Sequence, residues 1–197
     1  MNRGEEKKEA KTYVMQLFPC LEQIKNESLK SKIVDAWVRA WDESPWERIE
    51  DAVYEPSLKA SECTLVQHTN VVAAGALHMG QLIHDTFGLA VDFDALLAGA
   101  LLHDVAKLVT FGPKGEYGEE TEIGHTIHHA FYGAHIALDL GIPLRVVELI
   151  VAHTPYNRTM PCSIEGIMLD YVDYMAFDVV SFTAGHKIDL STMKRLP

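Results

Sequence analysis

The sequence has no apolar run approaching the roughly 18 residues that a membrane-spanning helix requires, which argues against a membrane partner. It is poor in cysteine. The three present, Cys20, Cys63 and Cys162, form no CxxC and are odd in number, so a disulfide framework is not expected and each reads as a small packing residue. Basic residues are also scarce: 17 Lys and Arg stand against 28 Asp and Glu, a formal net charge of −11 with no basic cluster. A chain that grips a nucleic-acid backbone usually carries a basic face, so nucleic acid is not expected as a partner. The start, MNRGEEKKEAK, is charged and has no apolar run behind it, unlike a signal peptide; the expected location is the cytoplasm. There is no internal repeat, no low-complexity tract beyond those first eleven residues, and no alternating strand of useful length.

Hydrophobic residues make up 48% of the 197, enough for one compact core. Their spacing is helical nearly throughout, which predicts an all-α fold. Residues 5–18 read as a helix with a charged start. Ser28 is a candidate cap for a helix through Trp41, with Leu29, Ile33, Ala36, Trp37 and Ala40 on one stripe. Ser44, Pro45 and Glu47 have capping-box spacing for a further helix. This front third shows core spacing but no chemistry, and Trp37, Trp41 and Trp46 read as packing residues. A long helix is expected over 65–87, ended near Gly88. Asp92 then caps a strongly apolar helix over 93–107. Residues 111–124, with four glycines and one proline, read as a loop. A helix over 122–140 closes at Gly141. Pro143, at its first position, opens another helix that ends near His153. The segment TPYNRTMP reads as a turn or loop, and a last helix runs over about 163–184.

Ten histidines exceed ordinary usage, so their positions carry the information. His78, His84, His135 and His186 read as ordinary core or surface residues. His103, joined to Asp104, follows an almost wholly apolar stretch in AGALLHDVAK. Burying such a pair requires either a mutual structural hydrogen bond or a metal ion. His153 ends the apolar run VVELIVAHT, and the same reasoning applies. His125, His128 and His129 can each reach one side of their helix; His129 shares a face with Gly133, where another helix could approach closely. His68 opens HTNVVAAGA, a small-residue stretch. Asp170 and Asp173 lie one turn apart in LDYVDYMAFD.

Taken in chain order, His68, the doublet His103-Asp104, His129, His153 and Asp173 resemble the HD superfamily of metal-dependent phosphohydrolases, named for its His-Asp pair. LLHDVAK is similar to its central motif, lysine included. The resemblance covers roughly residues 64–180. HTNVVAAGA, LLAGALLHDVAKLV, HHAFYGAHIALDLGIP and LIVAHTP look most like the di-iron branch that hydrolyses diadenosine tetraphosphate. In that branch the third histidine stands four residues before Gly-Ala, which selects His129, and the final aspartate precedes an aromatic, which selects Asp173. Thr154-Pro155 stands where the branch carries Thr-Gly, and Met175-Ala176-Phe177 where it carries acidic-Pro-Arg.

The resemblance implies an all-α HD-domain helical bundle over 61–197 behind a helical extension over 1–60. It implies one or two divalent transition-metal ions (Fe, Mn, Zn or Ni), one held by His68, His103, Asp104 and Asp173, the second by Asp104, His129 and His153. Asp104 and Lys107 would be catalytic, and Lys107, Lys114 and Arg158 would touch substrate phosphate. The 111–124 loop could act as a lid. The expected partner is a small phosphate compound or nucleotide, and a homodimer is left open. The competing functions are a di-iron oxygenase built on the same ligands and a non-catalytic metal-binding regulatory domain.

Overall fold

The computed structural model describes residues 3–154 and 163–186, with side chains from Lys8 onward. Arg158 and Cys162 lie outside the described residues, as does the TPYNRTMP turn after Thr154. In chain order the helices are α1 (Arg3–Leu17), α2 (Glu27–Asp42), α3 (Leu65–Phe87), α4 (Phe93–Leu102), α5 (Lys107–Thr110), α6 (Glu122–Thr126), α7 (His129–Asp139), α8 (Leu144–Ala152) and α9 (Ile164–Thr183). An antiparallel hairpin, β1 (Phe111–Lys114) and β2 (Tyr117–Glu120), lies between α5 and α6, with Phe111 paired to Glu120. Among the described residues the fold is all-α apart from this hairpin and an isolated bridge between Val53 and Thr64. None of the described helices is long and apolar enough to cross a membrane.

The apolar helix α4 is buried at every residue from Ala95 to Leu102 and packs against α2, α3, α8 and α9. One continuous core runs from Val14 in α1 to Ala176 in α9, and Trp37 lies at its centre, donating from Nε1 to the Leu101 carbonyl at 2.9 Å. Glycines set the close approach of α4 to α8 and of α3 to α9. A Cβ on Gly99 would stand 2.6 Å from Leu149 Cδ1, and one on Gly75 would stand 2.8 Å from Val172 Cγ1. Gly133, expected to serve this purpose, has ordinary van der Waals room of 3.4 Å or more.

Several elements match the sequence pattern. Thr64 caps α3 and Gly88 ends it in the left-handed conformation, with φ of 67°. Asp92 Oδ1 accepts from Ala95 N and caps α4. Gly141, with φ of 66°, closes α7 in a Schellman arrangement: its N–H reaches Leu138 O, and Ile142 N reaches Ala137 O, both at 2.9 Å.

Other boundaries need correction. The cap of α2 is Asn26, not Ser28, because Asn26 Oδ1 takes the Leu29 N–H. No α-helix follows Ser44: its hydroxyl accepts from Trp46 N, a tight local turn that competes with helix initiation. Pro143 is the cap of α8 rather than its first residue. The helix expected over 93–107 ends at Leu102, and residues 103–106 form turns closed by i to i+3 bonds such as Lys107 N to Asp104 O at 2.9 Å. The helix expected over 122–140 is broken by Ile127, which is extended at φ −133° and ψ 122°. The segment read as a loop holds the β1–β2 hairpin, too short and glycine-rich to show alternation.

Candidate metal centre

Two of these departures from regular helix place the site. In a continuous α-helix successive side chains diverge by about 100°. At the end of α4, where the regular helix gives way to the turns of 103–106, the side chains of His103 and Asp104 nevertheless both reach the same interior point. His103 Nδ1 donates to Ala100 O at 2.8 Å, so in the neutral ring Nε2 carries the free lone pair. That nitrogen lies 3.3 Å from Asp104 Oδ2, 3.6 Å from Asp173 Oδ1 and 3.3 Å from His68 Nε2. His68 reaches this point from the first turn of α3, with Nε2 2.9 Å from Asp173 Oδ1 and 3.6 Å from Asp104 Oδ2. Tyr54 stacks on the His68 ring at 3.7 Å between centroids.

The break at Ile127 builds the second group. His128 becomes the cap of α7, accepting from Ala130 N at its Nδ1, and His129 becomes the first helical residue. His129 Nε2 lies 3.1 Å from Asp104 Oδ1 and 3.3 Å from His153 Nε2. His153, at the end of α8, repeats the arrangement of His103: Nδ1 donates to Ile150 O at 2.6 Å and Nε2 faces Asp104 Oδ1 at 3.5 Å.

The potential ligand atoms of His68, His103, Asp104 and Asp173 thus lie within 4.8 Å of one another, as do those of Asp104, His129 and His153. Asp104 belongs to both groups and offers a different oxygen to each. Of the two aspartates in α9, Asp173 joins the first group and Asp170, also buried, does not. His78, His84, His135 and His186 lie elsewhere, all exposed.

The electrostatics call for a cation at this point. His103 is fully buried and His68 and Asp104 are each 2% exposed. Asp104 Oδ1 and Asp173 Oδ1 are buried without a hydrogen bond of acceptable geometry, although ring nitrogens stand nearby. Imidazole nitrogens facing each other at 3.3 Å, beside carboxylates, are repulsive as lone pairs and favourable as ligands of one ion. Burial alone would lower the His103 pKa; Asp104 and Asp173 outweigh it and push the ring up to about 10. Burial would also raise both carboxyls, but Lys107 and His103 hold Asp104 well below the usual range, and His103 and His68 do the same for Asp173. Without metal, a proton on His103 supplies part of the missing positive charge. Burial keeps His68 low and takes His129 down to about 3, so both favour the neutral ring that binds metal. Histidine nitrogen with carboxylate oxygen suits Fe, Mn, Zn or Ni. The residues present therefore fit a divalent transition metal.

The second face of the centre opens into a pocket of about 510 Å³. Lys107 is buried there, its ammonium 3.1 Å from Asp104 Oδ2, 3.9 Å from Glu55 Oε2 and 3.9 Å from the centre of the Tyr54 ring. Burial would lower its pKa, but Asp104 and Glu55 raise it, so it is a fixed positive charge. Burial raises Glu55 against the opposing pull of Lys107. Lys114 does not line the pocket: it is exposed on the hairpin and pairs with Glu119 at 2.8 Å. The front third does reach the pocket: Tyr54 and Glu55 line it, as do Phe111, Glu120, Tyr174 and Phe177. Helical periodicity could not reveal Tyr54 and Glu55, which arrive on an irregular segment. Glu120 and Phe111 are brought in by the hairpin.

Among curated proteins, the chain is similar to a dihydroneopterin 2′,3′-cyclic phosphate phosphodiesterase from Methanocaldococcus jannaschii, with 27% identity over 172 residues. The match covers 80% of this chain and 66% of that protein, just under two thirds of its length. No solved structure matches. The family model described as HD domain matches residues 65–178, a span that contains His68, His103, Asp104, His129, His153 and Asp173 in order. This covers more than half of the sequence, and the chain belongs to the HD domain family.

Proposed function

We propose that this chain is an enzyme that hydrolyses a phosphoester or phosphoanhydride bond in a small nucleotide or related phosphate compound. His68, His103, Asp104 and Asp173 would hold one divalent ion, and Asp104, His129 and His153 a second. The observation that carries this reading is the shared Asp104, whose two oxygens face two separate histidine groups. Metals held there would lower the pKa of a water molecule and polarise the oxygens of the phosphoryl group whose phosphorus that water attacks.

The chain's own groups do the rest. Lys107 presents an ammonium already fixed by Asp104, Glu55 and the Tyr54 ring, so little reorganisation is needed as charge grows on a phosphate oxygen. The same lysine holds Asp104 in position. Tyr54 covers His68 and shields that edge of the centre from water. His128, fixed by the start of α7, lines the pocket beside His129. Two substrate classes share this chemistry. The motifs resemble the diadenosine tetraphosphate branch, and the archaeal relative acts on a cyclic phosphodiester.

The test is hydrolysis of bis(p-nitrophenyl) phosphate and nucleoside 2′,3′-cyclic phosphates by protein loaded with Mn²⁺ or Fe²⁺. Activity should vanish on chelation, return with metal and fall at least about a hundredfold in Asp104→Asn, in line with the loss of a principal electrostatic group. Full activity in the chelated protein or in Asp104→Asn would refute the proposal.

A further inference from the structure

The charge lining the pocket bears on which of the two substrate classes fits, and the inference rests on the phosphohydrolase reading above. Four carboxylates line the pocket: Glu55, Asp104, Glu120 and Asp173. Lys107 is the one Lys or Arg among the described lining residues, and Asp104 and Glu55 already face its ammonium. Asp104 and Asp173 belong to the metal centre. Glu55 and Glu120 do not, and Glu55 lies outside the family match.

These two glutamates are held by structures that pack on each other. The segment before α3 is pinned by Tyr54 N donating to Cys63 O at 3.3 Å and by Ala60 N donating to Glu116 O at 3.1 Å in the hairpin turn. The hairpin lies directly against it: a Cβ on Gly118 would fall 2.5 Å from Val53 Cγ2 and 3.6 Å from Pro56 Cα. Trp46 Nε1 holds Phe111 O at 2.8 Å, and Thr121 N holds Thr110 O at 2.9 Å. Glu120 pairs with His125 at 2.7 Å at the pocket edge. Neither carboxylate sits on a loose tip.

A polyphosphate brings about one negative charge per phosphate, and once one phosphate lies at the metals its neighbours extend into the pocket toward carboxylates. Like charges opposed in the pocket act against binding, more strongly at half-buried Glu55 than at Glu120, which is exposed at the rim. A singly charged diester places its neutral part there instead. Hydroxyl and N–H donors satisfy carboxylate oxygens, and Phe111, Tyr174 and Phe177 supply aromatic surface for a planar ring.

We propose that the pocket selects a singly charged phosphodiester bearing an aromatic ring and hydrogen-bond donors, and rejects polyphosphates, with Glu55 and Glu120 as the specificity determinants. The experiment compares guanosine 2′,3′-cyclic phosphate with diadenosine tetraphosphate as substrates of Mn²⁺-loaded wild type, Glu55→Gln, Glu120→Gln and the double variant. Adenosine 5′-tetraphosphate binding to each is measured by calorimetry, with metal content checked. Wild type should favour the cyclic diester by about tenfold or more in kcat/KM, an energy of about 1.4 kcal/mol. The double variant should lose on the diester through KM and bind the tetraphosphate about tenfold more tightly. Equal or better cleavage of the tetraphosphate by wild type overturns the proposal, and so does a selectivity unmoved by both substitutions. If neither substrate is cleaved, the hydrolase reading is decided by bis(p-nitrophenyl) phosphate as above, and the change in tetraphosphate affinity alone decides the charge-selection claim.

Discussion

Asp104 and Asp173 do most to define the centre. Asp104 Oδ2 lies 3.3 Å from His103 Nε2 and its Oδ1 3.1 Å from His129 Nε2, so one side chain joins both groups. Asp173→Ala should abolish metal binding in the first group, whereas Asp170→Ala should keep the metal and lose only stability, as metal per chain by elemental analysis would show. Retention of metal by the Asp173 variant and loss by the Asp170 variant would reverse the assignment. At this scale the sequence was informative where a residue interrupts an apolar run, as at His103 and His153. It was silent where helical phase decides: Asp170 and Asp173 are both buried one turn apart, and only the likeness to HD motifs separated them. Phase also left His125, His128 and His129 open, because the break at Ile127 that points His129 inward depends on tertiary packing. That packing is visible at Gly124, where a Cβ would fall 2.2 Å from the Thr110 carbonyl oxygen.

Among the elements, α3 links a local signal to the site most directly. Thr64 Oγ1 accepts from Gln67 N at 3.2 Å, and Gln67 Oε1 accepts from Thr64 N at 3.0 Å, closing a capping box one residue before His68. Thr64→Ala should cost about 1 kcal/mol of stability. It should also weaken metal binding, because the fraying turn carries His68, and Thr64→Ser should restore both. Calorimetric unfolding with metal titration checks this; normal metal affinity in the Ala variant would show that the cap does not position His68. The helices α3 and α9 were legible almost to the residue because periodicity and termination signals agree there. The end of the helix at Leu102 was not, since LLHDVAK holds no Gly or Pro to mark a stop. The stop is imposed where two adjacent polar side chains turn toward one point, a demand that periodicity does not encode. The hairpin was hidden for a different reason: its strands are four residues each, and on β2 only Gly118 is buried.

For the molecule as a whole, an acidic chain of net charge −11 gathers buried charge at one point, so stability without metal should depend on pH from both sides. His129 is held near 3 in the folded state, against about 6.5 in an unfolded chain. Its contribution is full above pH 6.5 and is lost as pH falls toward 3; His68 shifts in the same direction. His103, pushed up to about 10, contributes fully below pH 6.5 and loses that contribution as pH rises toward 10. The Tm of chelated protein should therefore decline on either side of about pH 6.5, and bound metal should flatten the alkaline decline by taking the place of the His103 proton. A flat alkaline side in the chelated protein would contradict this account. Whether Asp104 joins two metal groups is read from metal per chain under saturating Mn²⁺ in wild type, His129→Ala, His153→Ala and Asp104→Asn. Two ions are expected in wild type, about one in each histidine variant because one ligand group is dismantled, and loss from both groups in Asp104→Asn. Equal stoichiometry in wild type and the two histidine variants would contradict the two-group arrangement.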